Sequence, residues 1–193
     1  LARGLALLRR AWPEAEEEVR RRTWLIVPLV EPGTVSYSHL ARPGISYLNV
    51  FRGSLVDLAD DLLHETAHHR LHAWQETIRF SSLDEERRYF SPWRRAQRPL
   101  NGILHGTYTF LFRTELLLRL SRDAALSSAR RRRLRREAAI EMRHCRMALA
   151  DLTRAGRGGE LTGHGRELLR SMARRLRSLR AGRLSGRFEI GIF

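Results

Sequence analysis

Residues 62–69 read Leu-Leu-His-Glu-Thr-Ala-His-His and contain the pattern H-E-x-x-H, formed by His64, Glu65 and His68. Positions i and i+4 of an α-helix share one face, so the two imidazoles can hold one metal ion with the glutamate beside them. Ser54 opens a capping-box pattern, and leucines then recur at helical spacing. The sequence therefore predicts a helix with the motif in its middle; a solvated, histidine-rich helix face is the alternative interpretation.

The chain has 193 residues, of which 42% are hydrophobic, and this fits one globular domain with a core. No apolar run reaches the length of about 18 residues that a membrane-spanning helix needs, so none is expected. The single Cys145 excludes an internal disulfide and favours a reducing, cytoplasmic compartment. The first residue is Leu1, and we expect the chain to be a piece of a longer protein.

The formal net charge is +15, and all 36 basic residues are arginine. Total absence of lysine indicates a coding bias, which weakens any inference from charge alone, although a basic surface still favours acidic partners. The densest run of arginines covers residues 130–136. Because the run lacks interleaved aromatic side chains, we expect no nucleic-acid binding. A solvated helix face and a docking surface for an acidic peptide segment remain as interpretations.

The periodicity predicts an α+β fold that is mostly helical. A small antiparallel sheet leads into the H-E-x-x-H helix, as in zincin-like proteins, and a helical C-terminal half follows. Helices are expected over residues 13–22, from 54 to past 74, and over 99–120, 124–155 and 165–180; strands over 23–30, 34–40, 45–51 and 187–193. Residues 84–90 are expected to form a short helix or irregular structure, and Pro92 and Pro99 to bracket a loop.

We interpret residues 1–193 as a single domain. Residues 23–120 are its motif-bearing core, and residues 121–182 are a helical portion without a further signature.

A durable metal site needs a third protein ligand besides the two motif imidazoles. His105 is the first candidate, because Gly102 and Gly106 flank it and permit another helix to approach closely. Glu115, from the same expected helix, is the second candidate.

The other histidines are disfavoured as ligands. His69 points about 100° away from His68 around the helix. His72 continues the stripe, but three successive ligands from His64 to His72 span about 12 Å, too far to share one ion. The remaining histidines are expected at the surface or in packing contacts: His39, His144 and His164.

Two further blocks follow the motif in order, Tyr-Phe-Ser-Pro-Trp-Arg at residues 89–94 and Arg-Pro-Leu-Asn-Gly-Ile-Leu-His-Gly at residues 98–106. Together with the motif they resemble the HExxH-motif peptide-modification proteins, which are 2-oxoglutarate-dependent peptide β-hydroxylases of ribosomal peptide natural-product clusters. The resemblance covers residues 24–120.

The resemblance implies a bacterial, cytoplasmic enzyme that uses Fe(II), 2-oxoglutarate and O2. It implies His64, His68 and His105 as the iron ligands. The substrate would be a ribosomally synthesised precursor peptide, with an acidic leader as a further expectation, and the product would carry a hydroxyl group on Cβ of one residue.

Under this interpretation the distal carboxylate of 2-oxoglutarate needs a cationic partner, and a guanidinium matches a carboxylate at two points. Arg98, which precedes the His105 helix, is the first choice; Arg94 is the second and Arg113 the third. Tyr108 and Thr109, about one turn beyond His105, are expected to line the cofactor pocket, with ordinary core packing as the alternative.

A zinc metallopeptidase is the competing interpretation. It would use the same two motif histidines, complete the site with His105 or Glu115, and employ Glu65 as the general base that activates water. An oxygenase needs no such base, so the role of Glu65 differs between the two interpretations.

Overall fold

The computed structural model describes residues 1–51, 53–82 and 88–184. These residues form an α+β fold that is mostly helical. The helices are α1 Ala2–Ala11, α2 Pro13–Arg22, α3 Leu55–Gln75, α4 Leu100–Leu120, α5 Ser128–Arg157 and α6 Gly163–Arg180. The strands are β1 Leu25–Leu29, β2 Tyr37–Ser38, β3 Ile45–Asn49, β4 Arg88–Ser91 and β5 Ala96–Pro99. The strand expected over residues 187–193 lies outside the described residues.

Strands β1, β2 and β3 form one sheet in the order β1-β3-β2. Strand β1 runs parallel to β3, with Leu25 opposite Ile45, whereas β2 runs antiparallel to β3, with Tyr37 opposite Tyr47. The expectation of a wholly antiparallel sheet was therefore wrong for the β1–β3 pair. The reason is the connection between β1 and β3, which contains β2. Strand β2 pairs antiparallel with β3 on one side, and the chain returns so that β1 pairs parallel with β3 on the other side.

Strands β4 and β5 form a separate antiparallel hairpin that packs against α4. The sequence predicted a helix or irregular structure over residues 84–90 and a loop between Pro92 and Pro99. The first prediction was wrong for residues 88–90, which are strand, and the second was wrong for residues 96–99 but correct for the turn at residues 92–95. Residues 83–87 are not among the described residues. Pro99 pairs opposite Arg88 at the last position of the strand, where a residue without an N–H is tolerated. The proline therefore ends the strand and opens α4.

Helix α4 is the central helix of the fold, since α3, α5 and α6 all pack against it. A helix that is apolar on all sides belongs in a core, and the leucines and aromatic rings of α4 are buried, among them Leu104, Leu111 and Phe112. The expected helices over this half of the chain are present, with boundaries shifted by a few residues. Cys145 is buried on α5, as a small apolar side chain would be.

The N-terminal helix α1 was not predicted, because it begins without a side-chain cap and with no acidic residue in its first turn. It packs against α3, where a Cβ at Gly4 would lie 2.9 Å from the side chain of Leu58. Trp12, between α1 and α2, is completely buried, and the Arg119 guanidinium carbon lies 4.4 Å from its ring centroid. Tertiary contacts therefore stabilise a segment whose local signals are weak.

Helices α3 and α4 run antiparallel, and polar contacts join them at both ends. Near the start of α3, the Asp60 carboxylate forms an ion pair with Arg113 of α4. Near its end, the Gln75 amide donates to the Asn101 side chain at 3.1 Å. These contacts fix the lengthwise register of the two helices. Within the described residues, no helix is both long and apolar enough to span a bilayer.

Replacing Gly165 by Ala should destabilise the fold, because a Cβ at this position would lie 1.9 Å from the carbonyl oxygen of Phe80. The backbone must shift, and we expect a loss of about 1–3 kcal/mol in the free energy of unfolding. Chemical denaturation followed by circular dichroism measures it. The matched control is Gly163→Ala in the same helical turn, where nothing lies within 4 Å of the added atom. Equal losses in the two variants would contradict this packing.

Candidate metal centre between two helices

Helix α3 begins with a complete capping box, as expected. The Ser54 side chain accepts a hydrogen bond from the Asp57 N–H, and the Asp57 carboxylate accepts one from the Ser54 N–H. The helix then continues without interruption to Gln75. The H-E-x-x-H motif at residues 64–68 therefore lies in the middle of a regular helix, where residues four apart share one face.

Four imidazoles gather between α3 and α4. The ring centroids of His64 and His68 lie 4.9 Å apart, and those of His68 and His72 lie 5.8 Å apart. From α4, the His105 ring lies 5.8 Å from His68 and 5.5 Å from His72. Among the described residues, one group of three possible ligands has all its ligand atoms within 4.8 Å of one another: His68, His72 and His105.

The structure thus brings His68 and His105 together, as the sequence analysis expected, and adds His72, which the sequence analysis set aside. His64, His68 and His72 together span too great a length of one helix to share an ion. His68 and His72 alone form a pair with the same i,i+4 spacing as the motif. That spacing was the signal that could have identified His72.

Burial keeps these imidazoles neutral. Loss of solvation, with a smaller effect of the charge of Arg94, lowers the pKa of His64 to about 4. Loss of solvation, with a smaller effect of His72, lowers the pKa of His105 to about 3. Burial also lowers the pKa of His68 well below its ordinary value, with further contributions from the neighbouring histidines. Neutral imidazole is the form that ligates a metal ion.

A side-chain hydrogen bond orients His105. Its Nε2 lies 2.8 Å from the Gln75 Oε1, and the Gln75 amide nitrogen donates to Asn101. Since an amide oxygen only accepts, His105 Nε2 carries the proton and its Nδ1 keeps a free lone pair. A ligand histidine whose other nitrogen donates to a fixed partner has a defined ring orientation. Gln75 is therefore a positioning residue that the sequence analysis did not find.

A cavity of about 270 Å³ opens beside the histidines. His64, His68 and His105 line one side of it, and His72 does not. The remaining lining residues come from the β4–β5 hairpin and α4, namely Ser91, Trp93, Arg94, Arg98, Asn101, Gly102, Gly106, Thr109 and Phe110.

Two of the three expected cofactor arginines, Arg94 and Arg98, line this cavity and have exposed side chains. Arg113 does not line it, because its guanidinium forms ion pairs with Asp60 and Glu141. The hairpin thus supplies the positive charge of the cavity from outside the two helices.

Tyr108 lies in the core instead of the cavity wall. Its side chain is completely buried, and its ring contacts Trp74 and Phe112 at centroid distances of 5.8 and 5.1 Å. Thr109, the other residue expected in the pocket wall, does line the cavity. The alternative of ordinary core packing therefore describes the position of Tyr108.

Glu65 is buried, with 2% of its surface exposed, and it does not line the cavity. Burial raises its pKa to about 7, while Ser38 on the neighbouring sheet and the charge of Arg94 act in the opposite direction. The carboxyl group thus lies on the sheet side of α3. A base that activates a metal-bound water must reach into the cavity. Glu65 is absent from the cavity lining, although Arg94 in that lining is near enough to lower the Glu65 pKa.

The second candidate ligand, Glu115, is fully buried and forms ion pairs with Arg119 and Arg175. It follows His105 by about three helical turns, roughly 15 Å along α4, so it cannot share an ion with that imidazole. His69 ties the helix to the sheet: its Nε2 lies 3.0 Å from the Ser46 hydroxyl. The remaining histidines lie at the surface or half-buried outside the cavity lining: His39, His144 and His164.

Trp93 forms the apolar wall of the cavity. Its ring stacks on Phe110 at a centroid distance of 4.5 Å, and its Nε1 donates to Glu141 at 2.9 Å. Gly106 makes room for this ring, since a Cβ there would lie 3.0 Å from it. The two glycines beside His105 were expected to let another helix approach; instead, Gly106 contacts Trp93 and Gly102 lies against Arg98.

No protein-family model matches the sequence, and no curated protein matches it. The features that bear on function are therefore the histidine cluster, the arginine-bearing cavity beside it and the sequence blocks around them.

Replacing Gly106 by Ala should displace the Trp93 ring, because two ring atoms would lie 3.0 and 3.1 Å from the new Cβ. We expect a loss of about 1–2 kcal/mol in the free energy of unfolding, together with a changed near-ultraviolet circular dichroism signal. The control is Gly102→Ala on the same helix, where the nearest atom, Arg98 Cβ, lies at an ordinary 3.5 Å. Near-ultraviolet spectra that coincide for Gly106→Ala and the wild type would show that the ring has not moved.

Proposed function

We propose that this protein is an Fe(II)- and 2-oxoglutarate-dependent oxygenase that hydroxylates Cβ of one residue in a ribosomally synthesised peptide. The observation that supports this most is the cavity in which half-buried imidazoles and two arginines, Arg94 and Arg98, face the same space. The sequence resemblance points to the same activity.

The donor set fits a divalent first-row metal. Neutral imidazoles suit both iron and zinc, and three of them leave coordination positions open for small ligands. His105 and His68 would be two of the ligands. The H-E-x-x-H motif indicates His64 as the third ligand, whereas the clustering of ligand atoms indicates His72.

The arginines fit the co-substrate. 2-Oxoglutarate has a keto-acid end that can chelate a metal and a distal carboxylate that needs a cation. A guanidinium is the best partner for a carboxylate, because it donates two parallel hydrogen bonds. Arg94 and Arg98 are exposed on the hairpin and line the cavity that the histidines share, so a ligand between the two sets would have both ends held.

When bound, iron, 2-oxoglutarate and O2 supply the conversion of a C–H bond to C–OH, and 2-oxoglutarate leaves as succinate and CO2. The residues of this chain hold and orient the reactants. Trp93 and Phe110 present an apolar wall to the cavity, which limits water beside the imidazoles. Thr109 and Asn101 add polar groups on the α4 side.

The sheet offers a place for an extended peptide. Strand β2 is an edge strand, and it lies against α3, where the Ser36 hydroxyl donates to Asp61 at 2.6 Å. His39, directly after β2, is close enough to lower the pKa of His72, although burial lowers that pKa more. A peptide added to this edge as another strand would therefore pass beside the histidine stripe, and this is the zincin-like element of the proposal.

The zinc metallopeptidase alternative is supported by the same imidazoles, but it also needs a general base that faces the cavity. Its general base would be Glu65, and that side chain is buried on the sheet side of α3, outside the cavity lining. The two cavity arginines fit a carboxylate of either substrate, so the position of Glu65 is the observation that favours the oxygenase.

Anaerobic addition of Fe(II) and then 2-oxoglutarate should produce a weak visible charge-transfer band, and His105→Ala should abolish it. Arg94→Gln or Arg98→Gln should weaken 2-oxoglutarate binding, because a charged hydrogen bond contributes about 1.5–3 kcal/mol, or about 10- to 100-fold. Titration of the band with 2-oxoglutarate measures this.

Arg95→Gln is the matched control for this titration, since Arg95 lies between the two arginines on the same hairpin but does not line the cavity. Absence of the band in the wild-type protein, with tight zinc binding and cleavage of a peptide, would replace the oxygenase by the peptidase.

The arginine run on α5 is proposed as the docking surface for an acidic segment of the peptide. Arg132 and Arg133 are exposed there, and Leu134 is buried. Reversing both arginines to Glu should weaken the binding of a fluorescein-labelled Glu- and Leu-rich peptide by about tenfold or more, without loss of iron or 2-oxoglutarate binding. Fluorescence anisotropy at fixed salt concentration measures the affinity.

The control for this reversal is Arg143→Glu with Arg146→Glu, an equal charge change at exposed positions of the same helix. If both double variants weaken the peptide equally, only the net charge matters and docking at the arginine run is wrong.

A further inference from the structure

The lengthwise register of α3 and α4 decides which imidazoles can share an ion. Gln75 contacts Asn101, and the two helices run antiparallel. Equal steps from this contact place His105, four residues further along α4, opposite residue 71 of α3, and equal steps from the Asp60–Arg113 pair place it opposite residue 68. His68 and His72 lie within about four residues of this level. His64 lies about four to seven residues from it, or roughly 6–10 Å along the helix axis, so the ring contacts decide between His64 and His72.

The contacts of the rings agree with this register. His105 contacts both His68 and His72, and the ligand atoms of the three lie within 4.8 Å of one another. The His64 ring instead packs edge-on against Phe110, at a centroid distance of 5.0 Å. His64 therefore has an apolar partner of its own in the cavity wall.

His72 also has an unsatisfied polar atom. Its Nδ1 is buried and has no hydrogen-bond partner among the described residues. An unsatisfied buried polar atom costs about 1–3 kcal/mol, and a metal ion would satisfy this nitrogen. The hydrogen bond from His105 to Gln75 comes from the same turn of α3, three residues beyond His72, so the oriented ring of His105 lies level with His72.

We infer that His68, His72 and His105 hold the metal ion, and that His64, although part of the H-E-x-x-H motif, lies outside the ligand set. The donors are three neutral imidazoles, so the site would take a divalent first-row ion such as Fe(II), Co(II) or Zn(II). This ligand set deepens the proposed function. It rests on that function only in requiring that the protein binds a metal ion. It places the ion one turn further along α3 than the motif indicates, with His64 between it and Phe110.

The test is the affinity of the full chain for Co(II) alone, measured by calorimetry and by the visible spectrum of the bound ion. His72→Ala should weaken binding by more than about 100-fold, since even loss of an outer hydrogen-bond partner of a ligand costs about 10- to 100-fold. His68→Ala and His105→Ala should do the same. His64→Ala should stay within about tenfold of the wild type.

Thermal unfolding monitored without metal checks that each variant folds, and His72→Gln and His64→Gln replace any alanine variant that does not. Loss of Co(II) binding on changing His64 overturns the inference, whether or not changing His72 also removes it. Retention of binding on changing His72 overturns it as well.

The outcomes separate this inference from the proposed function. Co(II) binding that depends on His72 but not His64, in a protein whose iron form gives no band with 2-oxoglutarate, upholds the ligand set and rejects the oxygenase. Co(II) binding that depends on His64, with a normal band, does the reverse. A wild-type protein that binds no Co(II) overturns both.

Discussion

The antiparallel packing of α3 against α4, held by one polar contact at each end, is the constraint on which the rest of the structure depends. Asp60 is buried, so its ion pair with Arg113 cannot be broken without leaving a carboxylate uncompensated in the core. At the other end, an exposed hydrogen bond from Gln75 to Asn101 gives a register within about three residues of the first. The side chains between these two contacts, including the histidines of α3, are positioned by this packing of the two helices.

The same polar network reaches the hairpin. Arg113 also pairs with Glu141 of α5 at 3.4 Å, and Glu141 accepts the Trp93 indole N–H. Arg94 follows Trp93 directly, so the residue proposed for the co-substrate carboxylate is positioned through a chain of contacts that begins at α3. The histidine side and the arginine side of the cavity thus depend on one set of charged side chains, which explains how a small hairpin can be placed against two long helices.

Glu65 and Glu115 show how burial redirects residues that look catalytic. Both are carboxylates on the helices that carry the histidines, and both were candidates for chemistry. Glu115 is paired with two arginines and joins α4 to α6. Glu65 lies on the sheet side of α3, where burial raises its pKa to about 7. A sequence motif therefore identifies the residue type at a position. The packing of the helix determines which space the side chain faces.

Much of the fold could be predicted from local signals. Capping residues, leucine periodicity and the prolines gave the principal helices and strand β3, because these signals act within a few residues. Helix α1 and the β4–β5 hairpin could not be found in the same way. The first depends on a glycine that admits Leu58, and the second on pairing between segments that prolines had marked as loop. The parallel pairing of β1 with β3 could not be predicted locally either, because it depends on the path of the chain between the two strands.

The sequence by itself determined that α3 would carry histidines four residues apart on one face, and that His105 and two arginines would follow within reach. It could not determine whether His64 or His72 completes the group with His68 and His105. Both pairs have the same i,i+4 spacing, so local geometry treats them alike. Only the tertiary structure decided which imidazoles meet, because the level of His105 along α3 is set by side-chain contacts between residues far apart in the chain.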